Sequence, residues 1–330
     1  MSPLNDGLAK IACRETFVRA KSGIPPNTWN LSVMATATRL ALVRSLSPLR
    51  QLRGGERVAR ALVPQMAGEE IVVENDGIKI TCDLSSYIEW QIATLKGYET
   101  RQKQIFLSVI PQHRRRNLLD IGANIGGHSL TFARFFDKVI AFEPNPEIFS
   151  RLQGNITRNS GLNIDPMPMG LADRADTLVF YQPPAGCGGQ GVGSFDPDFA
   201  PNNAIEVRLP VARGDDVVKD QGLNPVDAIK IDVQGFEPQV LMGLADTIAQ
   251  DKPIIWAEFS ESTLRGLQAS GSRMSQILAG YRMYKFAPAL KFGLIHRVKL
   301  EPCDGIHSSE EADYLFLPPD VDKLMRAASL

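Results

Sequence analysis

The sequence predicts an α/β fold, with a mostly parallel sheet of seven strands flanked by helices and a helical and hairpin extension ahead of it. Three observations point there. From Asn117 onward, short and nearly continuous apolar runs alternate with helical segments, the pattern of parallel strands covered on both faces. A glycine-rich stretch, Asp120-Ile121-Gly122-Ala123-Asn124-Ile125-Gly126-Gly127, follows the first of these runs directly. The second run closes on an acid, in Phe142-Glu143-Pro144-Asn145-Pro146.

The elements follow in order. Residues 1–30 have weak periodicity and contain Pro25-Pro26, so they are expected to be partly disordered. Residues 31–63 read as helix, interrupted near Pro48 and Gly54-Gly55. This stretch holds Arg39, Arg44, Arg50, Arg53, Arg57 and Arg60 against one acid, Glu56. It reads as a solvated basic face, with contact to anionic lipid or a charged partner as the sharper alternative. Residues 70–84 form two β-rich runs around Asn75-Asp76-Gly77, a hairpin signal. Residues 87–110 return to helical spacing, with Trp90, Ile92, Leu95, Ile105, Phe106, Val109 and Ile110 as core. The basic run His113–Arg116 reads as a solvated approach to the first strand.

Strands are then expected at Leu118–Ile121, Val139–Phe142, a run ending near Met169, Ala228–Ile231, Ile254–Ala257, Tyr281–Phe286 and Tyr314–Leu317. Helices are expected at Ser129–Phe136 and over 236–244. Residues 183–201 are rich in Gly and Pro and too long for a simple turn, so they read as a binding loop or a surface insertion.

Composition excludes several classes. A formal net charge of −1 gives no basic field for nucleic acid. Cys13, Cys82, Cys187 and Cys303 lie far apart, without CxxC or Cys/His metal spacing, so no metal site is assigned and the thiols are read as reduced. No signal peptide or membrane span is assigned, and a cytoplasmic location is expected.

The chemistry gathers at the strand ends. Gly122, Asn124 and Gly126 allow a sharp turn and close approach of a ligand to the backbone. Glu143, closing the second strand, can accept from both hydroxyls of a ribose. Asp173 follows the third strand, where it either meets an adenine or belongs to an ordinary turn. Asp232 ends the fourth strand, where polar groups of an open α/β sheet meet their ligands. It is the expected base or acceptor-binding group, with Glu237 and Glu258 in support. Glu237 also suits the first turn of a helix, and Glu258 a pairing with Lys230. His128 opens the helix after the glycine loop, facing either the ligand or the core. His296 and His307 are expected to border the pocket from the C-terminal side.

With these residues assembled, the chain resembles the FkbM family of methyltransferases. The matching segments are DIGANIGGHSL at 120–130, AFEPNPEIFSRLQGNITRN at 141–159, AIKIDVQGFEPQVLMG at 228–243 and PIIWAEF at 253–259. The resemblance covers about residues 70–318. It implies a Rossmann-like class I fold and S-adenosyl-L-methionine (SAM) as cofactor, with Asp120 near its amino-acid part. It further implies O-methylation of a hydroxyl on a sugar, a glycan or glycolipid, or a natural product. It divides the chain into an N-terminal extension, 1–68, and a methyltransferase domain, 69–330, whose SAM-binding core is 117–318. One departure stands out: the family commonly has Glu where this chain has Gln234, which keeps the size and an acceptor oxygen but loses the charge. Two rival functions are a nicotinamide-dependent oxidoreductase, disfavoured because Gly122-x-Asn124-x-Gly126 lacks the dinucleotide spacing, and a SAM-binding protein without activity.

Overall fold

The computed structural model describes residues 16–20, 31–45, 54–65, 69–184, 193, 195, 197, 203–259, 273–274, 276–291, 295–304 and 312–327. Most of the 183–201 segment, Arg50, Arg53 and His307 lie outside the described residues, as does the side chain of His296. The chain divides into two compact units. One is 1–100 with 185–190 and 288–297; the other is 101–184, 191–287 and 298–330.

The first unit holds strand β1 (Thr16–Ala20), helices α1 (Leu31–Ser45) and α2 (Gly55–Leu62), the hairpin β2 (Glu69–Asn75) and β3 (Ile78–Asp83), and α3 (Tyr87–Leu95). The three strands form an antiparallel sheet in the order β1-β2-β3. The hairpin turns at Asp76 and Gly77, both at positive φ (51° and 81°), as a tight two-residue connection requires. The core contains Leu40, Val43, Ile71, Val73, Cys82 and Trp90, and the Trp90 indole donates to the Val63 carbonyl at 2.7 Å.

Arg44 departs from the basic-face expectation. It is buried, donating to the carbonyls of Ala93 (2.7 Å) and Glu74 (2.6 Å) and to Asn75 Oδ1 (3.0 Å). A guanidinium offers five donors, enough to bond carbonyls of both β2 and α3 at once. Arg39 and Arg57 are exposed, and Arg60 pairs with Glu56 at 3.0 Å while lying over the Tyr87 ring.

The second unit begins with α4 (Thr100–Val109), followed by β4 (Asn117–Ile121), α5 (Ser129–Phe132), β5 (Lys138–Phe142), α6 (Pro146–Arg158), β6 (Ile164–Met167), β7 (Gly170–Ala172), β8 (Asp176–Gln182), β9 (Ile205–Arg213) and α7 (Gly214–Asp220). The chain continues with β10 (Val226–Ile231), α8 (Glu237–Gly243), α9 (Ala245–Asp251), β11 (Ile254–Phe259), β12 (Arg282–Lys291), β13 (Ile295–Cys303), β14 (Ala312–Leu317) and α10 (Pro319–Ala327), the ends of β12 and β13 within 288–297 counting with the first unit. The main sheet has eight strands rather than seven, in the order β13-β12-β14-β11-β10-β4-β5-β6. The additional strand is β13, at the sheet edge, where polar side chains are tolerated. Strands β6, β5, β4, β10 and β11 run parallel, and β14 runs antiparallel to β11 and β12. A smaller sheet has the order β7-β9-β8.

Strand order reverses between β4 and β10: the chain builds outward from β4 to β5 and β6, then returns to add β10 and β11 on the other side. Crossovers leave β4 and β10 in opposite directions there, opening a crevice beyond their carboxyl ends. One sheet face packs Leu119, Ile121, Ile229, Ile231 and Ile255 against Val240, Leu241, Leu244 and Ile248. On the other, Trp256 meets Phe106 (5.5 Å between ring centroids) and His128 (5.3 Å).

Within the run His113–Arg116, His113 and Arg116 are exposed as expected, while Arg114 departs from expectation. Arg114 is buried and donates to the carbonyls of Asp251 and Lys252. Arg115 binds the Leu107 and Ile110 carbonyls, and Arg116 forks onto the buried Asp227 at 2.9 and 2.8 Å. These arginines tie down the amino edge of the sheet.

Candidate active site

The glycine loop is pinned between two strand ends. Gly122 and Ala123 donate to the Phe142 carbonyl (3.1 and 2.9 Å), and Asp232 donates its N–H to the Ile121 carbonyl (3.0 Å). Gly122, Asn124 and Gly126 adopt φ of 84°, 51° and 93°. A Cβ on Gly122 would lie 1.9 Å from the Asp232 carbonyl oxygen, so only glycine lets β4 and β10 close at this point. Gly126 lets Leu152 of α6 approach in the same way, to 2.8 Å of where a Cβ would stand.

Glu143 ties the loop to β5. One carboxylate oxygen accepts from the Asn124 N–H (3.0 Å), the other from the Asn145 N–H (2.9 Å). Asn145 caps α6, accepting from the N–H groups of Glu147 and Ile148 ahead of which Pro146 fills the first helical position. The Glu-Pro-Asn-Pro sequence thus turns the chain, starts the helix and aims the acid. Burial pushes the Glu143 carboxyl up to about 7, against the pull of its two backbone donors.

Asp120 is buried and accepts from Ser129 Oγ at 2.5 Å. Burial raises it to about 6, with the Ser129 bond and the Lys230 charge opposing. Its carboxylate therefore anchors the start of α5, a helix of one turn, shorter than the 129–136 expected. Lys103 holds the end of the loop, donating to the Gly127 carbonyl at 2.9 Å.

Asp232 stands just beyond β10 in the crevice. Strand alternation puts Asp120, Lys230 and Trp256, neighbours in register, on one sheet face. Two residues on, the same face carries Asp232 and Glu258, with Asp313 opposite Glu258 on β14. Lys230 Nζ lies 3.8 Å from Asp232 Oδ2, 4.0 Å from Asp313 Oδ1 and 4.5 Å from the Trp256 ring centre. The Trp256 indole donates to Asp313 at 2.6 Å. A fully buried ammonium needs such company, and the ring face contributes roughly 2 kcal/mol in a dry setting.

Asp232 and Glu258 are hydrogen-bonded, and each charge opposes ionisation of the other. Burial, then the Asp232 charge, pushes Glu258 far above the usual carboxylate range, so it donates to Asp232. Burial also works on Asp232, but the Lys230 charge and the bonds from Glu258 and Gln234 outweigh it and hold Asp232 below its ordinary value. Gln234 Nε2 donates to Asp232 Oδ1 at 3.1 Å.

The other candidates fall elsewhere. Glu237 is buried, its Oε1 taking the N–H groups of Val233 (3.2 Å) and Gly235 (3.1 Å), so it closes the turn between β10 and α8. The His128 ring packs against Phe132 and Trp256, and burial, then the Lys103 and Lys230 charges, hold it well below its ordinary value. It is neutral at physiological pH. Asp173 follows β7 directly and pairs with Arg174 at 3.3 Å. Sequence reasoning missed Lys103, Ser129 and Asp313. An acid at the entry of an apolar strand, Ala312-Asp313-Tyr314, was the available signal for the last.

Comparison with known proteins bears on this geometry. A methyltransferase FkbM domain is matched over residues 120–283. The hexuronic acid methyltransferase AglP of Haloferax volcanii is 29% identical over 159 residues, 48% of this chain and 61% of its own length. Methyltransferase 1 of Beauveria bassiana is 30% identical over 191 residues, 51% of this chain and 75% of its own length. The 2-O-methyltransferase NoeI of Sinorhizobium fredii is 26% identical over 160 residues, 44% of this chain and 64% of its own length. The chain thus spans about three fifths of the archaeal and rhizobial relatives.

Proposed function

The chain belongs to the FkbM family of methyltransferases, and from that premise we propose that it transfers a methyl group from SAM to a hydroxyl of a sugar, glycan or related small molecule. The observation that carries the reading is the crevice at the β4–β10 switch, where Gly122 abuts Asp232 and Glu143 closes the neighbouring strand.

The residues fit the cofactor's chemistry. SAM carries a sulfonium, an ammonium and a ribose diol, and this edge offers carboxylates and a turned, open backbone. Each Glu143 oxygen accepts one N–H and retains a second lone pair, enough for two ribose hydroxyls. Two such bonds favour the charged carboxylate. The loop 122–126 gives the amino-acid part room beside the backbone, and Asp120 acts through Ser129 by fixing where that loop ends.

When bound, SAM supplies a methyl group already activated by its positive sulfur. Asp232 orients the acceptor hydroxyl and takes its proton as the new oxygen–carbon bond forms. The hydroxyl becomes strongly acidic only at that stage, so a carboxylate held ionised by Lys230 is base enough. Glu258, protonated, fixes the Asp232 carboxylate from one side. Trp256, Phe106 and Phe132 wall the face dry. Glu237 shapes the turn that carries Asp232 and does not touch the reacting atoms.

The relatives support the acceptor class by name: one is a hexuronic acid methyltransferase and another a 2-O-methyltransferase. The test is transfer of radiolabelled methyl from SAM to a panel of mono- and oligosaccharides. Label incorporated as a base-stable ether supports the reading. Label found only on nitrogen, carbon or carboxyl oxygen refutes it.

A further inference from the structure

Asp232 is surrounded by groups that have to agree on its charge. Lys230 faces it from β10, Glu258 from β11, Asp313 lies beyond Lys230 on β14, Asp120 on β4, His128 at the start of α5, Lys103 on α4, and Glu143 beyond the loop. Gln234, which carries no titratable group, is also bonded to Asp232. Its backbone is left-handed, φ 54°, a costly region for a residue with a side chain, and Gly235 continues the turn at φ 101°. Glu237 holds that turn by taking the Val233 and Gly235 N–H groups. The result sends the Gln234 side chain back to Asp232 Oδ1 at 3.1 Å. A carboxylate only accepts, so the amide nitrogen must face it.

We propose that Gln234 is a positioning residue for methyl transfer: its amide fixes the orientation of the Asp232 carboxylate that receives the acceptor's proton. The proposal rests on the reading of Asp232 as proton acceptor. Where the family commonly has an acid, this chain's amide donates to Asp232 without adding a charge. A carboxyl at 234 would set another negative charge against the Asp232–Glu258 pair, and the cluster would bind a further proton before Asp232 could act.

The test uses full-length Gln234→Glu and Gln234→Leu, reading kcat from pH 5 to 9 and the cofactor dissociation constant. For Gln234→Glu, the acid limb of kcat moves up by about one pH unit, with activity recovering at high pH. In Gln234→Leu, kcat falls about tenfold across the profile. Both bind cofactor within about twofold of wild type, which also reports that they fold. Profiles that superimpose on wild type, or loss of cofactor binding as the main effect, would overturn the proposal. Asp232→Asn separates the two levels: wild-type turnover in that variant removes the underlying reading, whereas lost turnover with unchanged Gln234 variants removes only this inference.

Discussion

The Gly122 α-carbon stands so close to the end of β10 that a Cβ would meet the Asp232 carbonyl oxygen at 1.9 Å and its carbon at 2.9 Å. The glycine loop and the end of β10 are therefore one mechanical unit, and shifting either shifts the other. Gly122→Ala adds a backbone clash to a left-handed φ of 84°. It should cost more than about 2 kcal/mol and abolish measurable cofactor binding. Gly154→Ala, in an exposed turn of α6 with nothing within 4 Å, should stabilise by up to about 1 kcal/mol. Urea unfolding of both variants checks the contrast.

Replacing Asp232 by Asn keeps the shape and removes the proposed base. Cofactor affinity should stay within about twofold, while kcat falls by about 10²–10⁴-fold. Steady-state kinetics beside a cofactor titration reads both, and a variant with normal turnover excludes Asp232 from proton transfer.

Much of this site was written in the strands. The runs at β4, β5, β10 and β11 are apolar because both faces are covered, so their carboxyl ends, and with them Asp120, Glu143 and Asp232, could be located from periodicity. The edge strand β13, Ile295-His296-Arg297-Val298-Lys299-Leu300-Glu301, carries charge along its length and gives no such signal. The smaller sheet was not expected either, since β8 and β9 are joined through the Gly- and Pro-rich segment rather than a tight turn. The partners of Lys230 depend on the register of β14, which returns to the sheet over 50 residues after β11. Local pattern cannot encode that pairing. Arg44 and Arg114 misled for a related reason: charge in the sequence does not say whether carbonyls elsewhere will bury it.

Arg44→Ala leaves the Ala93 and Glu74 carbonyls without this donor inside the first unit. Stability should drop by about 3 kcal/mol, whereas exposed Arg39→Ala should change it by no more than about 0.5 kcal/mol. Unfolding followed by tryptophan fluorescence distinguishes a buried tie from a solvated face.

The raised carboxyls make the cofactor-free protein sensitive to pH. Glu143 rises from 4.5 to about 7 and Asp120 from 3.8 to about 6, so the folded state binds these protons more tightly than the unfolded chain. Their contribution is complete below pH 3.8 for Asp120 and 4.5 for Glu143, and is lost as pH rises through about 6 and 7. For Glu143 the loss is about 3 kcal/mol. Urea midpoints should fall from pH 5 to 8 in wild type and fall less steeply in Glu143→Gln.

The most direct test of the cofactor site is calorimetric titration of the purified protein with SAM and its demethylated product, repeated on Glu143→Ala. Micromolar binding to wild type that Glu143→Ala weakens at least about 100-fold, two lost hydrogen bonds to a charged group, is the predicted result. A folded wild-type protein that binds neither ligand, or a Glu143→Ala variant that binds as wild type does, would contradict it.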